Sequence, residues 1–316
     1  MKKKKPVVDS VVILDGNATE IRRHLSEVRP DLSVYDQSVE KRFLQGRKYA
    51  IITFDPGEII NEFSDVSWIH CSGAGVDYLL DSLRQPVPLI TRTVGNMGQQ
   101  IAEYVLAYAL FFNQKIASRS ELQKARSWDR SGASPQYLAG SRALIFGTGA
   151  IGCAVADTLG GFSVRCDGVS RSGKQKAPFE FVKPVASLGS MAMDAYNLVV
   201  LALPRHPDTQ SLIDSRVLER MDAAMLINVG RAQVLVIEDL LCAISHGHVG
   251  QAVLDVFEPE PLAETSNLWL HPKVWVTPHV SGLTQPADTA SAFVSALDRQ
   301  EAGLEPALSV SQQRGY

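Results

Sequence analysis

Apolar residues occur along this chain in short continuous runs that alternate with longer helical repeats. The runs before residue 95 cover 11–16, 49–54, 67–75 and 88–93, and the first three lead into Asp, Pro or Gly. Runs of this length and composition are typical of strands that are buried on both faces of a parallel sheet. The alternation with helical segments therefore predicts an α/β domain with crossover helices.

A long helical pattern follows from about Gln99 to Arg126. Its apolar residues recur on one face at Ile101, Val105, Tyr108 and Phe112. Strand-like runs then return at 143–146, 164–170, 197–204, 225–230, 252–257 and 274–280. The segment after Gly282 is again helical and is expected to return to the first domain. The pattern predicts two doubly wound parallel sheets.

Composition and charge narrow the class of protein. A chain of 316 residues with 45% hydrophobic and 21% charged residues is typical of a soluble protein of about two domains. The net charge of −3 indicates no nucleic-acid partner, and no apolar stretch is long enough for a membrane span. Lys2–Lys5 is expected to be a solvated tail, not a signal peptide. The four cysteines show no CxxC pair and no metal spacing, which indicates a reduced, cytoplasmic setting without a metal site.

Residues 141–172 contain the dinucleotide-binding fingerprint, GTGAIG at 147–152, between a strand and a helix. Gly147 is expected to allow the tight turn, Gly149 to let a pyrophosphate approach, and Gly152 to let the helix pack on the strand. The helix N-terminus then offers N–H groups and a positive dipole end to the phosphates. The other loop residues expected at the cofactor are Thr148, Ala150 and Ile151. This context favours a cofactor site over a plain tight turn.

The strand at 164–170 follows the helix of the fingerprint, and the residues at its tip indicate which dinucleotide binds. Asp167 lies where the fingerprint expects a ribose-binding acid, but it falls inside the strand and not at its tip. The tip itself, Ser170, Arg171, Ser172 and Lys174, has two cations and no carboxylate. A guanidinium binds a 2′-phosphate in bidentate fashion, whereas a carboxylate repels it. The sequence favours NADP(H), with NAD(H) as the second candidate; the alternative is that Arg171 and Lys174 are ordinary solvated loop charges.

Three strands lead into side chains that suit the reduction of a 2-oxoacid. Arg231 follows the run at 225–230, Glu260 follows 252–257, and His279 follows the apolar start of 274–280. The carboxyl ends of parallel strands share one crevice, so we expect these catalytic residues to converge there. An imidazole can give the proton, a carboxylate can orient it, and a guanidinium can bind the substrate carboxylate and polarise the carbonyl. Arg231 and His279 are thus also expected to contact the substrate.

Each of these residues has a competing explanation. Arg231 is alternatively a surface charge at a helix start, and Glu258 matches Glu260 on composition alone. His279 is alternatively a satisfied loop histidine. We expect that structural role for the five histidines His70, His206, His246, His248 and His271.

Further strand ends are expected to contribute to ligand binding. Asp255 is a candidate for holding the nicotinamide amide. The other strand-end residues expected at the cofactor are Leu203, Pro204, Val229, Gly230 and His279. The glycine turn SGAGVDYLL (72–80) also follows a strand, and its N–H groups can bind a carboxylate. Its alternative role is a strand-to-helix turn with Asp77 near the helix start.

The ordered motifs GAGVD, GTGAIG, NVGRAQVL, LDVFEPEPL and TPHVSG resemble the D-isomer-specific 2-hydroxyacid dehydrogenases over nearly the whole chain. The likeness is greatest to the glyoxylate/hydroxypyruvate reductase A branch, through NMGQQIAEY (96–104), VSRSGK, TQPAD (284–288) and the terminal RGY. The resemblance implies that Arg231, Glu260 and His279 are catalytic and that Ala74, Gly75 and Val76 bind the substrate carboxylate. It also implies a homodimer built partly from the nucleotide-binding domain.

The expected architecture is a Rossmann-type nucleotide-binding domain (99–282) inserted in a flavodoxin-like substrate domain (1–98 and 283–316). The expected activity is NADP(H)-preferring reduction of small 2-oxoacids such as glyoxylate or hydroxypyruvate. Two alternatives stay open: a dehydrogenase for larger 2-oxoacids and a nucleotide-sensing, corepressor-like binding protein. The sequence departs from the family at Ala232, where Gly is usual, and at Thr53 and Phe54, which bear on substrate size.

Overall fold

A computed structural model describes residues 7–312 of the chain. The lysine run Lys2–Lys5 and the terminal RGY lie outside the described residues. The chain forms two compact units, Met1–Met97 with Thr284–Tyr316, and Gly98–Leu283. The assignment of substrate binding to the first unit and dinucleotide binding to the second remains a prediction.

The strands are β1 (Ser10–Leu14), β2 (Ser33–Asp36), β3 (Tyr49–Thr53), β4 (Trp68–Cys71), β5 (Ile90–Arg92), β6 (Arg142–Phe146), β7 (Arg165–Ser170), β8 (Val182–Pro184), β9 (Leu198–Leu201), β10 (Ala224–Asn228), β11 (Val249–Leu254) and β12 (Val274–Val276). The α-helices are α1 (Ala18–Val28), α2 (Asp77–Ser82), α3 (Met97–Asn113), α4 (Ile116–Lys124), α5 (Arg130–Ala133), α6 (Ala150–Gly160), α7 (Ser215–Leu218), α8 (Ile237–Ser245) and α9 (Pro286–Glu301). Short 3-10 helices cover Lys41–Phe43, Gly57–Glu62, Val185–Ser190, Met193–Ala195, Pro207–Thr209, Ala232–Val234 and Asn267–Leu270.

The first unit contains a five-stranded parallel sheet in the order β2-β1-β3-β4-β5, which is the flavodoxin-like order. The central strands β1 and β3 are buried at every position, as their continuous apolar runs predicted. The strand β2 was not predicted. Its sequence SVYD is half polar and only partly buried because the strand lies at the sheet edge.

Helix α9 returns to the first unit, as the helical pattern after Gly282 predicted. The ring of Phe293 on α9 stacks on Trp68 of β4, with centroids 4.4 Å apart, and both side chains are fully buried. Near the end of α9, Asp298 and Glu301 each form an ion pair with Arg29, which follows α1, at 3.1 and 3.0 Å. Aromatic packing and a charge cluster therefore fasten α9 to this unit.

The second unit contains a seven-stranded parallel sheet in the order β12-β11-β10-β9-β6-β7-β8. Six of its strands reproduce the Rossmann order, with β6 as the first strand, and β12 extends the sheet by one. The α/β fold with two doubly wound parallel sheets is therefore confirmed. The edge strand β8 was not predicted, because it has three residues, one of them Pro184. Proline is tolerated at a sheet edge, where its missing N–H breaks no ladder.

The single helix predicted from Gln99 to Arg126 is wrong in one respect, since the structure has two helices there. The chain leaves α3 after Asn113, and Lys115 adopts a left-handed φ of 50° before α4 begins. No glycine or proline marks this break. The carbonyl of Asn113 accepts a hydrogen bond from the backbone N–H of Gln136 at 2.8 Å, so a distant contact ends the helix. Among residues 7–312, no helix combines the length and apolar character that a membrane crossing requires.

Candidate active site

The GTGAIG loop joins β6 to α6. Gly147 has a φ of 104°, and a Cβ on it would lie 2.5 Å from the carbonyl oxygen of Ala202. A Cβ on Gly152 would collide with the carbonyl oxygen of Gly147, whereas one on Gly149 would meet no atom within 4 Å. Packing therefore requires glycine at positions 147 and 152, whereas Gly149 faces open space.

The start of α6 suits a dinucleotide. Its N-cap is Gly149, so no side chain caps the N–H groups of the first turn. Ala150 is exposed there, and Thr148 and Ile151 are half-buried. Uncapped amides, the positive helix end and the open space at Gly149 together fit a pyrophosphate.

Asp167 is engaged in a structural network. It is 3% exposed in the interior of β7. Its carboxylate accepts hydrogen bonds from Arg142 Nη2 at 2.6 Å, Tyr196 Oη at 2.9 Å and the N–H of Phe181 at 3.2 Å. These bonds give Asp167 a structural role within the second unit.

The loop after β7 is exposed at Arg171, Ser172 and Lys174, while Ser170 is half-buried. Ser170 Oγ accepts a hydrogen bond from the N–H of Gly173 at 3.1 Å, which shapes the loop. Ser172 Oγ likewise accepts one from the N–H of Lys174 at 3.3 Å. The hydroxyls thus bend the loop that presents the cations.

Lys176 was missed by the sequence reasoning. Its Nζ donates to the carbonyl oxygen of Thr148 at 3.1 Å, which brings an ammonium group to the glycine loop. The second lysine of the segment GKQK was the available signal. Its partner is 28 residues away, so only the fold reveals the contact.

Arg231 lies three residues after the end of β10 and directly precedes the 3-10 helix Ala232–Val234. The buried Asn228 fixes the chain here: its Nδ2 donates to the carbonyl oxygen of Arg231 at 3.2 Å, and its Oδ1 accepts from the N–H of Gly230 at 3.1 Å. Arg231 Nη1 donates to the carbonyl oxygen of Gly230 at 2.8 Å. Ala232 keeps a negative φ, so this turn does not require glycine. Asn228 was also missed; a polar residue ending an apolar strand was its signal.

The ends of β9 and β10 lie side by side. A Cβ on Gly230 would lie 2.6 Å from the carbonyl oxygen of Leu203, so glycine is needed for this approach. Leu203 and Val229 are buried, and Pro204 is half-buried. These four predicted cofactor residues therefore form one surface at the carboxyl ends of neighbouring strands.

His279 and Glu260 are in direct contact. Nδ1 of His279 lies 2.8 Å from Oε2 of Glu260, and Glu260 Oε1 accepts from the N–H of Phe257 at 2.9 Å. The side chains are 35% and 24% exposed, so the pair is partly shielded from water. The imidazole thus pairs with Glu260 of the two candidate glutamates. Arg231, Glu260 and His279 follow β10, β11 and β12, which are adjacent in the sheet.

Asp255 organises the turn that contains His279. Its buried carboxylate accepts hydrogen bonds from Thr277 Oγ1 at 2.5 Å and from the N–H groups of Val280 and Ser281, each at 2.9 Å. Its carbonyl oxygen accepts from the N–H of His279 at 2.9 Å. Asp255 therefore fixes the backbone around His279; its contact with a nicotinamide amide remains a prediction.

The glycine turn in the first unit has its carbonyl groups occupied. The carbonyl oxygen of Ala74 accepts from Arg92 Nη1 at 2.8 Å, and that of Gly75 accepts from Cys71 Sγ at 3.4 Å. In a trans peptide the next N–H points the opposite way. The N–H groups of Gly75 and Val76 thus point away from these donors, while the Val76 side chain is buried.

Thr53 and Phe54, the two residues expected to affect substrate size, differ in their burial. Thr53 is fully buried and its hydroxyl donates to the carbonyl oxygen of Leu14 at 2.8 Å, so its proposed role in substrate size is wrong. Phe54 is 41% exposed, so it is not a core residue. Its ring lies against Gly73 and tilts over Tyr78, with centroids 5.8 Å apart.

The five histidines expected to be structural all have local partners. His70 is buried between Thr91 and Thr93. The ring nitrogens of the other four contact nearby backbone atoms: Asp208 N for His206, Cys242 O for His246, Met221 O for His248 and Lys273 N for His271.

Comparison with known proteins identifies the family. Residues 106–281 match the NAD binding domain of the D-isomer specific 2-hydroxyacid dehydrogenases. The chain is similar to the glyoxylate/hydroxypyruvate reductase A of Klebsiella pneumoniae, with 31% identity over 279 residues, 85% of this chain and 87% of that protein. This chain belongs to the D-isomer specific 2-hydroxyacid dehydrogenase family. The resemblance deduced from the motif order is therefore confirmed, and the chain is an NAD(P)-dependent enzyme of this family.

Solved structures of the family superpose closely. A D-isomer specific 2-hydroxyacid dehydrogenase from Xanthobacter autotrophicus in complex with NADPH and MES gives a TM-score of 0.86 at 27% identity, covering 98% of this chain and 100% of that one. The NADPH-dependent glyoxylate/hydroxypyruvate reductase from Sinorhizobium meliloti, in complex with NADP and sulfate, gives 0.84 at 25% identity, with coverage of 98% and 100%. The likeness extends over both units of the chain.

Proposed function

We propose that this enzyme is an NADP(H)-preferring reductase of small 2-oxoacids of the glyoxylate or hydroxypyruvate type. The main observation behind the proposal is the 2.8 Å contact between His279 and Glu260. The two residues follow β12 and β11, and Arg231 follows β10, the next strand in the sheet. A proton donor, its orienting carboxylate and a guanidinium are the side chains that carbonyl reduction beside a carboxylate requires. The name of the Klebsiella pneumoniae relative supports the same substrate class.

When a nicotinamide cofactor is bound, it would supply hydride to the carbonyl carbon of the 2-oxoacid. Because Nδ1 of His279 faces Glu260, its Nε2 is the nitrogen that gives a proton to the carbonyl oxygen. Glu260 orients the ring through its contact with Nδ1. Arg231 binds the carboxylate and polarises the carbonyl as negative charge develops on oxygen. One hydride and one proton convert the 2-oxoacid to the 2-hydroxyacid.

The substrate carboxylate is proposed to bind also at the turn of Ala74, Gly75 and Val76. Two successive N–H groups of this turn point away from the donors that hold its carbonyls. Paired backbone amides are suitable partners for a carboxylate. This assigns residues 1–98 and 283–316 to substrate binding and residues 99–282 to the dinucleotide.

The preference for NADP(H) is supported by the cations at the end of β7. Arg171 and Lys174 are exposed on the loop, and Asp167 is held in its own ion pair with Arg142. Lys176 adds a third cation beside the glycine loop. The related enzymes from Xanthobacter autotrophicus and Sinorhizobium meliloti are complexes with NADPH and NADP, which fits the same preference.

The setting is proposed to be the cytoplasm, with a homodimer as the assembly. The four cysteines are free thiols. Burial raises the pKa of Cys71 and of Cys166 to about 12, which keeps both thiols unreactive. The homodimer rests on the family resemblance.

The test is NADPH and NADH oxidation, followed by nicotinamide absorbance, with glyoxylate, hydroxypyruvate, a branched 2-oxoacid and an aromatic 2-oxoacid. We expect turnover of the first two with NADPH. His279→Ala should lower kcat by about 10²–10⁴-fold with NADPH binding retained. The control His246→Ala changes an exposed histidine at the end of α8 and should keep full activity. NADPH binding without oxidation by any substrate would favour a nucleotide-sensing protein instead.

A further inference from the structure

One face of α3 contacts the segment that follows β12. Gln100 and Tyr104 are four residues apart on this helix and therefore lie on the same face. Gln100 contacts Leu283, and Tyr104 contacts Thr277. Both belong to the motif NMGQQIAEY, for which the proposed reaction gives no role.

Tyr104 belongs to a directed chain of hydroxyl groups that leads to Asp255. Its Oη lies 2.6 Å from Thr277 Oγ1, which lies 2.5 Å from Asp255 Oδ1. Thr277 has one hydroxyl proton and gives it to the carboxylate, so Tyr104 must donate to Thr277. Burial raises the pKa of Tyr104, which keeps the phenol protonated and able to donate.

Gln100 holds the other end of the segment. Its Nε2 donates to the carbonyl oxygen of Leu283 at 3.0 Å, and its Oε1 accepts from the N–H of Leu283 at 2.8 Å. Both backbone groups of one residue are thus paired with one amide side chain. The chain from Thr277 to Leu283 is attached to α3 at its two ends.

His279 lies between these attachments in a strained conformation. Its φ is 54°, in the left-handed region that residues other than glycine rarely adopt. Such a residue persists only where its surroundings fix the backbone on both sides. Here Asp255 holds the centre of the turn through the N–H groups of Val280 and Ser281, and α3 holds the ends.

We propose that Tyr104 and Gln100 are positioning residues that hold the His279 turn in its left-handed conformation and thereby aim the imidazole. The inference rests on the proposed role of His279 as proton donor. Both residues act through others: Tyr104 acts through Thr277 and Asp255, and Gln100 acts through the Leu283 backbone.

The first test is Tyr104→Phe, which removes only the hydroxyl. We expect kcat to fall about tenfold, since misplacement of a catalytic group slows chemistry, with KM and the NADPH Kd within about twofold. The matched control is Tyr196→Phe, which also removes a tyrosine hydroxyl that donates a hydrogen bond; here the acceptor is the buried carboxylate of Asp167 on β7. The control should lose thermal stability but keep kcat. Equal losses of kcat in both variants would overturn the inference.

A double-mutant cycle tests the route through Thr277. If Tyr104 acts through this hydroxyl, Thr277→Val should lower kcat, and adding Tyr104→Phe should cause no further loss. Additive losses would mean that Tyr104 acts by another path and would overturn the proposed chain.

The role of Gln100 is tested with a neighbouring residue of the same type. Gln100→Met should lower kcat, whereas Gln99→Met should not, because Gln99 contacts the exposed Glu103 on its own helix at 3.0 Å. Equal kcat values in the two variants would remove Gln100 from the proposal.

Hydrogen exchange measured by mass spectrometry gives a readout that does not depend on activity. In Tyr104→Phe and Gln100→Met, peptides spanning 277–283 should exchange faster than in the parent, with the β6 peptides unchanged. If the parent reduces no 2-oxoacid but this local acceleration occurs, the proposed function fails while the attachment of the turn to α3 stands. Unchanged exchange at 277–283 would overturn the inference itself.

Discussion

The buried His70 should make the stability of the first unit depend on pH. Its ring is fully buried, with Nδ1 2.7 Å from Thr91 Oγ1 and Nε2 3.0 Å from Thr93 Oγ1. Two hydroxyl groups satisfy a neutral imidazole, which donates from one nitrogen and accepts at the other. They do not compensate a positive charge removed from water, so burial lowers the pKa of His70 to about 3.

The sign and size of the effect follow from linkage. As the pH falls below about 6.5, the unfolded chain binds a proton at His70, whereas the folded protein does not until about pH 3. The unfolded state is therefore favoured by about 1.4 kcal/mol for each pH unit within this window. Between pH 7 and pH 5 the contribution of His70 to the free energy of unfolding should fall by about 2 kcal/mol.

The perturbation that isolates this effect is His70→Gln, which keeps hydrogen-bonding groups but does not titrate. Urea unfolding at pH 7 and pH 5 can be followed by the blue edge of tryptophan emission. Trp68 dominates that signal because it is 1% exposed, while Trp128, Trp269 and Trp275 are 93%, 46% and 36% exposed.

The variant should be less stable than the parent at pH 7, and this difference should shrink by about 2 kcal/mol at pH 5. The control His246→Gln, at an exposed histidine, should keep the same difference from the parent at both pH values. A parent–His70→Gln difference that is equal at pH 7 and pH 5 would refute the assignment of a buried, neutral His70.

Three further predictions concern the active site. Arg171→Ala should weaken NADPH binding about tenfold or more and NADH binding little, because one charge-assisted phosphate contact is lost; fluorescence titration giving equal losses would contradict the NADP(H) preference. Glu260→Gln should lower kcat, because His279 loses the carboxylate that orients its ring, and Glu258→Gln should leave kcat unchanged; equal losses in the two variants would contradict the pairing. Phe54→Ala should raise the ratio of kcat/KM for a branched 2-oxoacid over glyoxylate by about tenfold or more, since a methylene in an apolar pocket contributes about 1–3 kcal/mol. If that ratio stays fixed while the melting temperature falls, Phe54 acts only through packing.

Local sequence patterns predict much of the fold. The apolar runs at 49–54 and 143–146 predict buried parallel strands because both faces of such strands lack water, and β3 and β6 form there. The glycine spacing at 147–152 predicts the turn because Gly147 and Gly152 occupy places that a side chain would block. The interior position of Asp167 in its strand predicts that it does not reach the ribose, and in the structure its carboxylate pairs with Arg142.

Only the tertiary structure decided the pairings between distant residues. Composition does not separate Glu258 from Glu260, and it is the path of the chain after β11 that brings Glu260 to the His279 ring. The contact of Tyr104 with Thr277 joins residues 173 positions apart, and no local pattern records it. Helix periodicity and turn chemistry depend on near neighbours, so the sequence alone determines them. Hydrogen bonds between segments depend on how whole elements pack, so they exist only once the fold has formed.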